Sequence, residues 1–300
     1  PLHIAVKSEY MQVVETLLEH NADVDSTNHL NRTPLHLSAV QGNKVITRML
    51  LNKGADVNGK VSYGLTPLYE AIQRNHINVI QLLLERSAHL DCQIQNKLTT
   101  LLHFAVEKRS YKIIKSMLQF GADVNSRDHN DSTALHIASM ETLDEIVSTL
   151  LEYGADVNVT NKNNKTPLDL SCGLTANILV RHIVKMTTAG LHVSQENVHA
   201  MNKYYSAMHH FENDCEKEIV TMTEKIHNTN VSFHDILSKG INQLVVYMRN
   251  EHITSVLKPD HVGENFPIYS SMLQDRVRRG VERKRLLEQG EGTVPGLPLP

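Results

Sequence analysis

The sequence predicts a mainly α-helical repeat solenoid followed by a small α-helical region, and three observations predict it. Thr33, Thr66, Thr100, Thr133 and Thr166 stand 33, 34, 33 and 33 residues apart. Most of them open Pro-Leu-His-x-Ala or a near variant, and 21 residues beyond comes Gly-Ala-Asp-Val-Asn or its relic. From about Leu191 the period is lost while apolar residues keep helical spacing. Such a period marks stacked supersecondary units, each too small to bury its own apolar face.

The unit that opens at Thr33 shows why these residue types recur. The Thr33 hydroxyl is placed to cap a helix, and Pro34 at the first helical position has no donor to waste. Leu35, Leu37 and Ala39 begin a short first helix, which Gly42 ends by accepting a left-handed conformation. A second helix from about Asn43 carries Val45, Ile46, Met49 and Leu50 at helical spacing, with Gly54 at its end. Ala55-Asp56-Val57-Asn58 then leads to a loop that closes near Gly64.

These residues resemble the ankyrin repeat family. Thr-Pro-Leu-His is intact at Thr33–His36, with variants at Thr66–Tyr69, Thr100–His103, Thr133–His136 and Thr166–Asp169. Gly-Ala-Asp-Val-Asn occurs at Gly54–Asn58, Gly121–Asn125 and Gly154–Asn158, with weaker copies at Asn21–Asp25 and Ser87–Asp91. The resemblance covers Pro1 to about Met186 and implies a helix–turn–helix plus a hairpin loop per repeat. It also implies that His3, His36, His103 and His136 tether turns by hydrogen bonds. Their repeat spacing argues against a shared metal ion, and Asp56, Asp123, Asp156, Asn125 and Asn158 read as turn residues rather than paired acid–base groups. The sixth unit, from Thr166, fades: Ile178, Leu179, Ile183 and Val184 keep its stripe, but no Gly-Ala-Asp-Val-Asn follows Met186.

Departures from the repeat are where partner choice is expected. The unit from Thr66 to Thr100 is one residue long, with the insertion placed in the loop Cys92–Thr99, and it carries Tyr69 and Ser87 where other copies carry His and Gly. Tyr63, Tyr69, Arg74, Lys97, Leu98, Lys108 and Arg109 are therefore expected on or near the fingers and first helices of adjacent units. There they are candidates for the centre of a concave protein-binding face, since Tyr and Arg are frequent energetic anchors.

In the C-terminal third, Ser194 is placed to cap a helix with Val198, Met201, Tyr205 and Met208, and another runs through Cys215, Ile219, Met222 and Ile226. Ser232-Phe233-His234-Asp235 reads as a capping box opening one helix from Ile236 to Met248. Ile253, Val256 and Leu257 follow, Pro259 is expected to stop the pattern, and Phe266-Pro267 introduces a last helix from Ile268 to about Leu287. The series Asn230-Val231-Ser232-Phe233-x-Asp235-Ile236-Leu237, Phe266-Pro267-Ile268-Tyr269, Arg276, Gly280, Arg283-Lys284 and Leu286–Gln289 resembles the PRANC region. That region follows ankyrin repeats in poxvirus proteins and in related insect, parasitoid and endosymbiont proteins, and implies a host–pathogen setting. It usually ends in an F-box-like segment; Leu297-Pro298-Leu299-Pro300 matches only the opening of one. The basic cluster Arg276, Arg278, Arg279, Arg283, Lys284 and Arg285 reads as a solvated helix face, because Glu282 and Glu288 interrupt it. The expected domains are repeats at 1–187, a PRANC-like region at 188–289 and a flexible tail at 290–300.

The whole chain narrows the function. A net charge of −3 gives no electrostatic case for nucleic acid or an anionic membrane. Three widely spaced cysteines with no CxxC fit a reducing compartment, so an intracellular location, cytoplasmic or nuclear, is expected. The opening Pro1-Leu2-His3 falls inside the repeat motif, so the chain is expected to begin partway through a longer protein. No nucleotide-binding, metalloprotease, hydrolase or kinase motif is present, so no catalytic residue, metal or cofactor is expected. The resemblance implies a protein-binding scaffold. Foremost is a substrate-recognition adaptor that reaches the Skp-type linker of an SCF-type, cullin–RING ubiquitin ligase in the full-length protein. The alternatives are a sequestering inhibitor of a signalling or transcription factor and a structural tether.

Overall fold

The computed structural model describes residues 1–61, 64–90, 99–202, 204, 208–226 and 229–288. Among these the regular structure is helical, with one isolated bridge between Lys225 and Ser232. The chain divides into two compact units. The first comprises residues 1–149 and 159–165, the second residues 150–158 and 166–300.

In unit 1 each repeat contributes a first and a second helix. The first helices are α1 (Leu2–Lys7), α3 (Pro34–Gln41), α5 (Pro67–Gln73), α7 (Leu101–Glu107) and α9 (Ala134–Met140). The second helices are α2 (Met11–Glu19), α4 (Lys44–Asn52), α6 (Ile77–Glu85), α8 (Tyr111–Gln119) and α10 (Asp144–Glu152), which runs on into unit 2. First helix packs on first helix (α1 on α3, α3 on α5, α7 on α9), and second on second (α2 on α4, α4 on α6, α6 on α8). The core is therefore shared along the row. Leu50, Leu83 and Met117 are fully buried at equivalent places in α4, α6 and α8; burying a side chain of this size contributes about 1.5–3 kcal/mol. Val45 instead faces solvent, since its step on α4 turns it from the stripe that Ile46 and Leu50 form.

The backbone repeats more faithfully than the sequence. Between the two helices, Glu9, Gly42, Asn75, Arg109 and Thr142 all take positive φ. After the second helix Asn21, Gly54, Ser87, Gly121 and Gly154 do so again, so Ser87 keeps the conformation of the glycine it replaces. The distance from α6 to α7 is one residue longer than from α4 to α5, which places the extra residue between Ala88 and Thr100. The loop Cys92–Leu98 itself lies outside the described residues.

Unit 2 holds α11 (Pro167–Leu170), α12 (Gly173–Thr188), α13 (Gln195–Met201), α14 (His209–Met222) and α15 (Phe233–Ser238). They are followed by α16 (Ile241–Tyr247), α17 (Glu251–Val256), α18 (Pro259–Asn265) and α19 (Ser270–Glu288). Two expectations are corrected here. The single helix from Ile236 to Met248 is broken at Lys239–Gly240, where α15 ends and α16 begins. Arg276 donates from Nε to the Ile236 carbonyl at 3.4 Å and from Nη2 to the Lys239 carbonyl, so the break is capped by a distant side chain. Nor does Pro259 only stop the pattern: α17 ends before it at Val256, but a further helix opens on it. It stands at the first position of α18, where a missing N–H costs nothing. The Ser232 capping box is present, with Asp235 N donating to Ser232 Oγ at 3.1 Å and Ser232 N donating to Asp235 Oδ2 at 2.9 Å.

α19 is the spine of this unit and packs against α15, α16 and α18. Its entry is fixed by Glu218 of α14, which accepts from Ile268 N at 3.1 Å and Tyr269 N at 2.9 Å. Tyr269 is fully buried, and its hydroxyl donates to the Lys185 carbonyl of α12 at 3.1 Å. Burial pushes the Tyr269 phenol pKa up.

The basic cluster on α19 is not simply a solvated face. Asp275 pairs with Arg279 at 2.9 Å and with Arg278. The Arg278 guanidinium lies 4.1 Å from the centre of the Tyr153 ring, and Arg279 Nη2 donates to the Gly154 carbonyl at 2.9 Å. Arg283 is 2% exposed, and its Nε and Nη1 make no hydrogen bond among the described residues.

The sixth repeat keeps its role without its motif. Asn158 Oδ1 accepts from Ser194 N at 2.8 Å, and Asn158 Nδ2 donates to the His192 carbonyl at 3.1 Å. In unit 1, Asn58 makes the same pair of contacts, with His89 N and the Ser87 carbonyl. The first helix of the sixth repeat, α11, is only four residues long. Its second helix, α12, is extended to 16 residues, and the loop after it supplies backbone groups where the motif would have stood.

Candidate functional site

The first helices of unit 1 are built by one device. Thr33 Oγ1 accepts from His36 N at 3.4 Å, while Thr33 N donates back to His36 Nδ1 at 3.3 Å. The other ring nitrogen, Nε2, then donates to a finger carbonyl 29 residues on. The acceptors are Arg32 O for His3 (2.9 Å), Leu65 O for His36 (3.3 Å), Ser132 O for His103 (2.9 Å) and Lys165 O for His136 (3.0 Å). The rings of His36, His103 and His136 are thus committed at both nitrogens as neutral imidazoles. Burial lowers the pKa of His36 to about 4 and that of His103 and His136 below the usual value. The fingers are pinned in the same spirit. Asn28, Asp128 and Asn161 each accept two backbone N–H groups of their own loop. Asp56, Asp123 and Asp156 each accept the N–H two residues on, as turn residues do.

What remains free for a partner is the face the first helices turn outward. The residue after each motif His forms a row across unit 1: Ile4, Leu37, Glu70, Phe104 and Ile137. Ile4 is 70% exposed, Leu37, Phe104 and Ile137 are half-buried, and Met140, one turn below Ile137, is 57% exposed. The row breaks at its centre. Glu70 is 2% exposed and accepts from Arg32 Nη2 at 2.7 Å. Beside it the rings of Tyr69 and Phe104 stack with centroids 5.0 Å apart, and Lys108 Nζ lies 5.2 Å from the centre of the Phe104 ring.

Four of the seven expected binding residues are described. Tyr69 is 6% exposed, so it supports Phe104 from beneath and offers little surface of its own. Arg74 and Lys108 stand exposed at equivalent positions just after α5 and α7. Arg109 is exposed but held by Glu141 at 2.6 Å. Tyr63, Lys97 and Leu98 lie outside the described residues. Sequence reasoning missed Phe104, Ile4 and Arg32. The signal was available, because the position after the motif His reads Ile, Leu, Glu, Phe, Ile down the repeats.

A row of helix pairs whose polar residues are spent on its own turns, with one outward row of side chains, defines a helical-repeat binding scaffold. The chain belongs to the ankyrin repeat family: the description "Ankyrin repeats (3 copies)" matches residues 2–96 and 102–190. Among solved structures it is similar to the ankyrin repeat domain of Bcl-3, described as a unique member of the IkappaB protein family. That likeness has 33% identity and a TM-score of 0.57, over 60% of this chain and 81% of that one. It is also similar to an ankyrin repeat domain from Acinetobacter baumannii AYE (26% identity, TM-score 0.54, 61% of this chain and 93% of that one). A third likeness is to a chain in the complex of a predatory endopeptidase from Bdellovibrio bacteriovorus with its immunity protein. It has 25% identity and a TM-score of 0.53, over 59% of this chain and 95% of that one. No curated protein matches. The ankyrin repeats make the chain a protein–protein interaction scaffold. No described helix is long and apolar enough to cross a membrane.

Proposed function

We propose that the chain is a substrate-recognition adaptor. The first-helix face of unit 1 holds a protein target, and the C-terminal helical region couples that target to an SCF-type ubiquitin ligase in the full-length protein. The observation that carries the first half is the outward row centred on Phe104, set among residues whose polar groups are already committed to turns. The second half rests on the PRANC-like residues. They serve as framework in unit 2: Ser232 and Asp235 cap α15, the Phe233 ring lies 4.5 Å from that of Phe266, and Tyr269 anchors α19. Holding target and ligase on one scaffold turns their encounter into an intramolecular one. The scaffold needs no catalytic residue, metal or cofactor of its own. A nuclear or cytoplasmic site suits this role, and neither nucleic acid nor membrane is required.

A second reading, a sequestering inhibitor, is favoured by the 33% identity to an IkappaB-family ankyrin domain. Binding between the protein extended beyond Pro300 and a purified Skp-type linker separates the two. The adaptor predicts a complex that survives gel filtration. If the extended protein ignores the linker yet still retains its target, the inhibitor is the better description.

A further inference from the structure

We infer that the first-helix face of unit 1 takes an amphipathic helix of its partner, with apolar side chains seven residues apart and carboxylates flanking the middle of that stripe. The inference rests on the reading above that this face holds a protein target. It adds what kind of segment fits.

Spacing selects the conformation. Ile4 and Leu37 come from neighbouring first helices, as do Phe104 and Ile137, with α5 and its Glu70 between the two pairs, and packed helices lie about 8–10 Å apart. A partner must therefore present contacts on one side at about that interval. An extended strand shows one face every second residue, about 6.6 Å, and so falls out of step. A helix shows one face every seven residues, about 10.5 Å, which meets the row when it crosses slightly obliquely. A polyproline helix repeats every three residues, about 9.3 Å, but has no internal hydrogen bonds. Ile4, Leu37, Phe104 and Ile137 offer such a backbone no hydrogen-bonding side chain, whereas an α-helix arrives with its backbone already satisfied.

Charge selects the flanks. Arg74 and Lys108 stand at equivalent positions, just after the helices that carry Tyr69 and Phe104. Both are exposed, and neither has a carboxylate partner among the described residues. Arg109 is not free in this sense, being held by Glu141. At Glu70 the row offers a buried, paired carboxylate rather than an apolar side chain, so the partner's stripe is expected to break there.

Phage display of a helix-patterned peptide library of about 28 residues, panned against the full chain, tests this directly. Selected peptides are expected to share an apolar period of seven with Asp or Glu beside the centre, and to become helical on binding by circular dichroism. They should lose at least about tenfold in affinity to Ile4→Asp. Arg74→Glu with Lys108→Glu should lose a similar factor and abolish the salt dependence. All three positions are exposed, so these variants fold; Phe104→Ala is a fourth, checked first for its melting curve. Peptides that need Ile4 and Phe104 but show a three-residue period, or no acidic flank, overturn this inference and leave the binding face standing. Peptides indifferent to every one of these substitutions overturn both.

Discussion

Unit 1 and unit 2 are both helical, yet they are held together in opposite ways. In unit 1 the hydrogen bonds of the motif histidines recur from repeat to repeat, and each ring reaches only its own repeat or the next. In unit 2 the fixing contacts are single events between distant residues: Tyr269 to Lys185, Glu218 to the start of α19, and Arg279 to Gly154. A repeated contact can be lost at one position and survive at four others, as Tyr69 in place of His shows. An unrepeated contact has no substitute, so unit 2 should be the more brittle of the two.

Removing the anchor of each unit gives the largest test. Tyr269→Ala should cost about 3–5 kcal/mol and raise amide exchange through α12, α14 and α19. Leu83→Ala in the shared core of unit 1 should cost about 2–5 kcal/mol, with exchange rising in α4 and α8, its neighbours in the row. If the two variants lose protection over the same residues, the contrast is wrong.

Arg283 sharpens the comparison in the other direction. A buried guanidinium with two nitrogens unbonded is destabilising, and replacing it with a hydrocarbon of like shape relieves that cost. Arg283→Met should therefore raise stability by about 1–3 kcal/mol in chemical denaturation, and a loss of stability would show that a partner for it exists.

A pair of glycines tests the same idea on one motif. Gly121 and Gly154 are equivalent, with φ of 88° and 78°, so alanine at either pays for left-handed backbone, about 1 kcal/mol. A Cβ at Gly121 meets nothing, whereas at Gly154 it would fall 2.5 Å from Asp275 Oδ2 and dislodge the Arg279 contact. Gly154→Ala should therefore be the costlier by about 1 kcal/mol, measured by urea midpoint.

The histidines give a smaller, pH-linked effect that belongs to unit 1. Their folded pKa values lie below the unfolded value, so the unfolded chain takes up protons first as pH falls. Stability should be full above about pH 6.5 and decline as pH drops toward about 4, where His36 titrates in the folded state. His36→Gln should flatten that decline in urea melts taken between those limits. Arg74→Ala should change stability least, within about 0.5 kcal/mol.

The repeats were legible because their chemistry is local. Thr33, Pro34 and His36 sit within four residues and cap the helix they belong to, and Gly54 or Gly121 marks the turn that follows. The helix starts at Ser194 and Ser232 were legible for the same reason. The break at Lys239–Gly240 was not, because it is stabilised by Arg276 from another helix. Nor was the sixth loop, where Asn158 is met by the backbone of His192 and Ser194, and backbone groups leave no residue signature. In the candidate site, reasoning from departures singled out Arg74 and Lys108, which are exposed at helix ends. It overrated Tyr69, because a bulky residue at the motif His position inherits that histidine's burial.

The central claim is that repeated residues build the scaffold and the outward row on the first helices does the binding. Hydrogen–deuterium exchange on the full chain, alone and with a target captured by residues 1–190, tests it most directly. The account predicts new protection in α3, α5, α7 and α9, with the second helices unchanged. Protection confined to α14 through α19, with the first helices untouched, would contradict it.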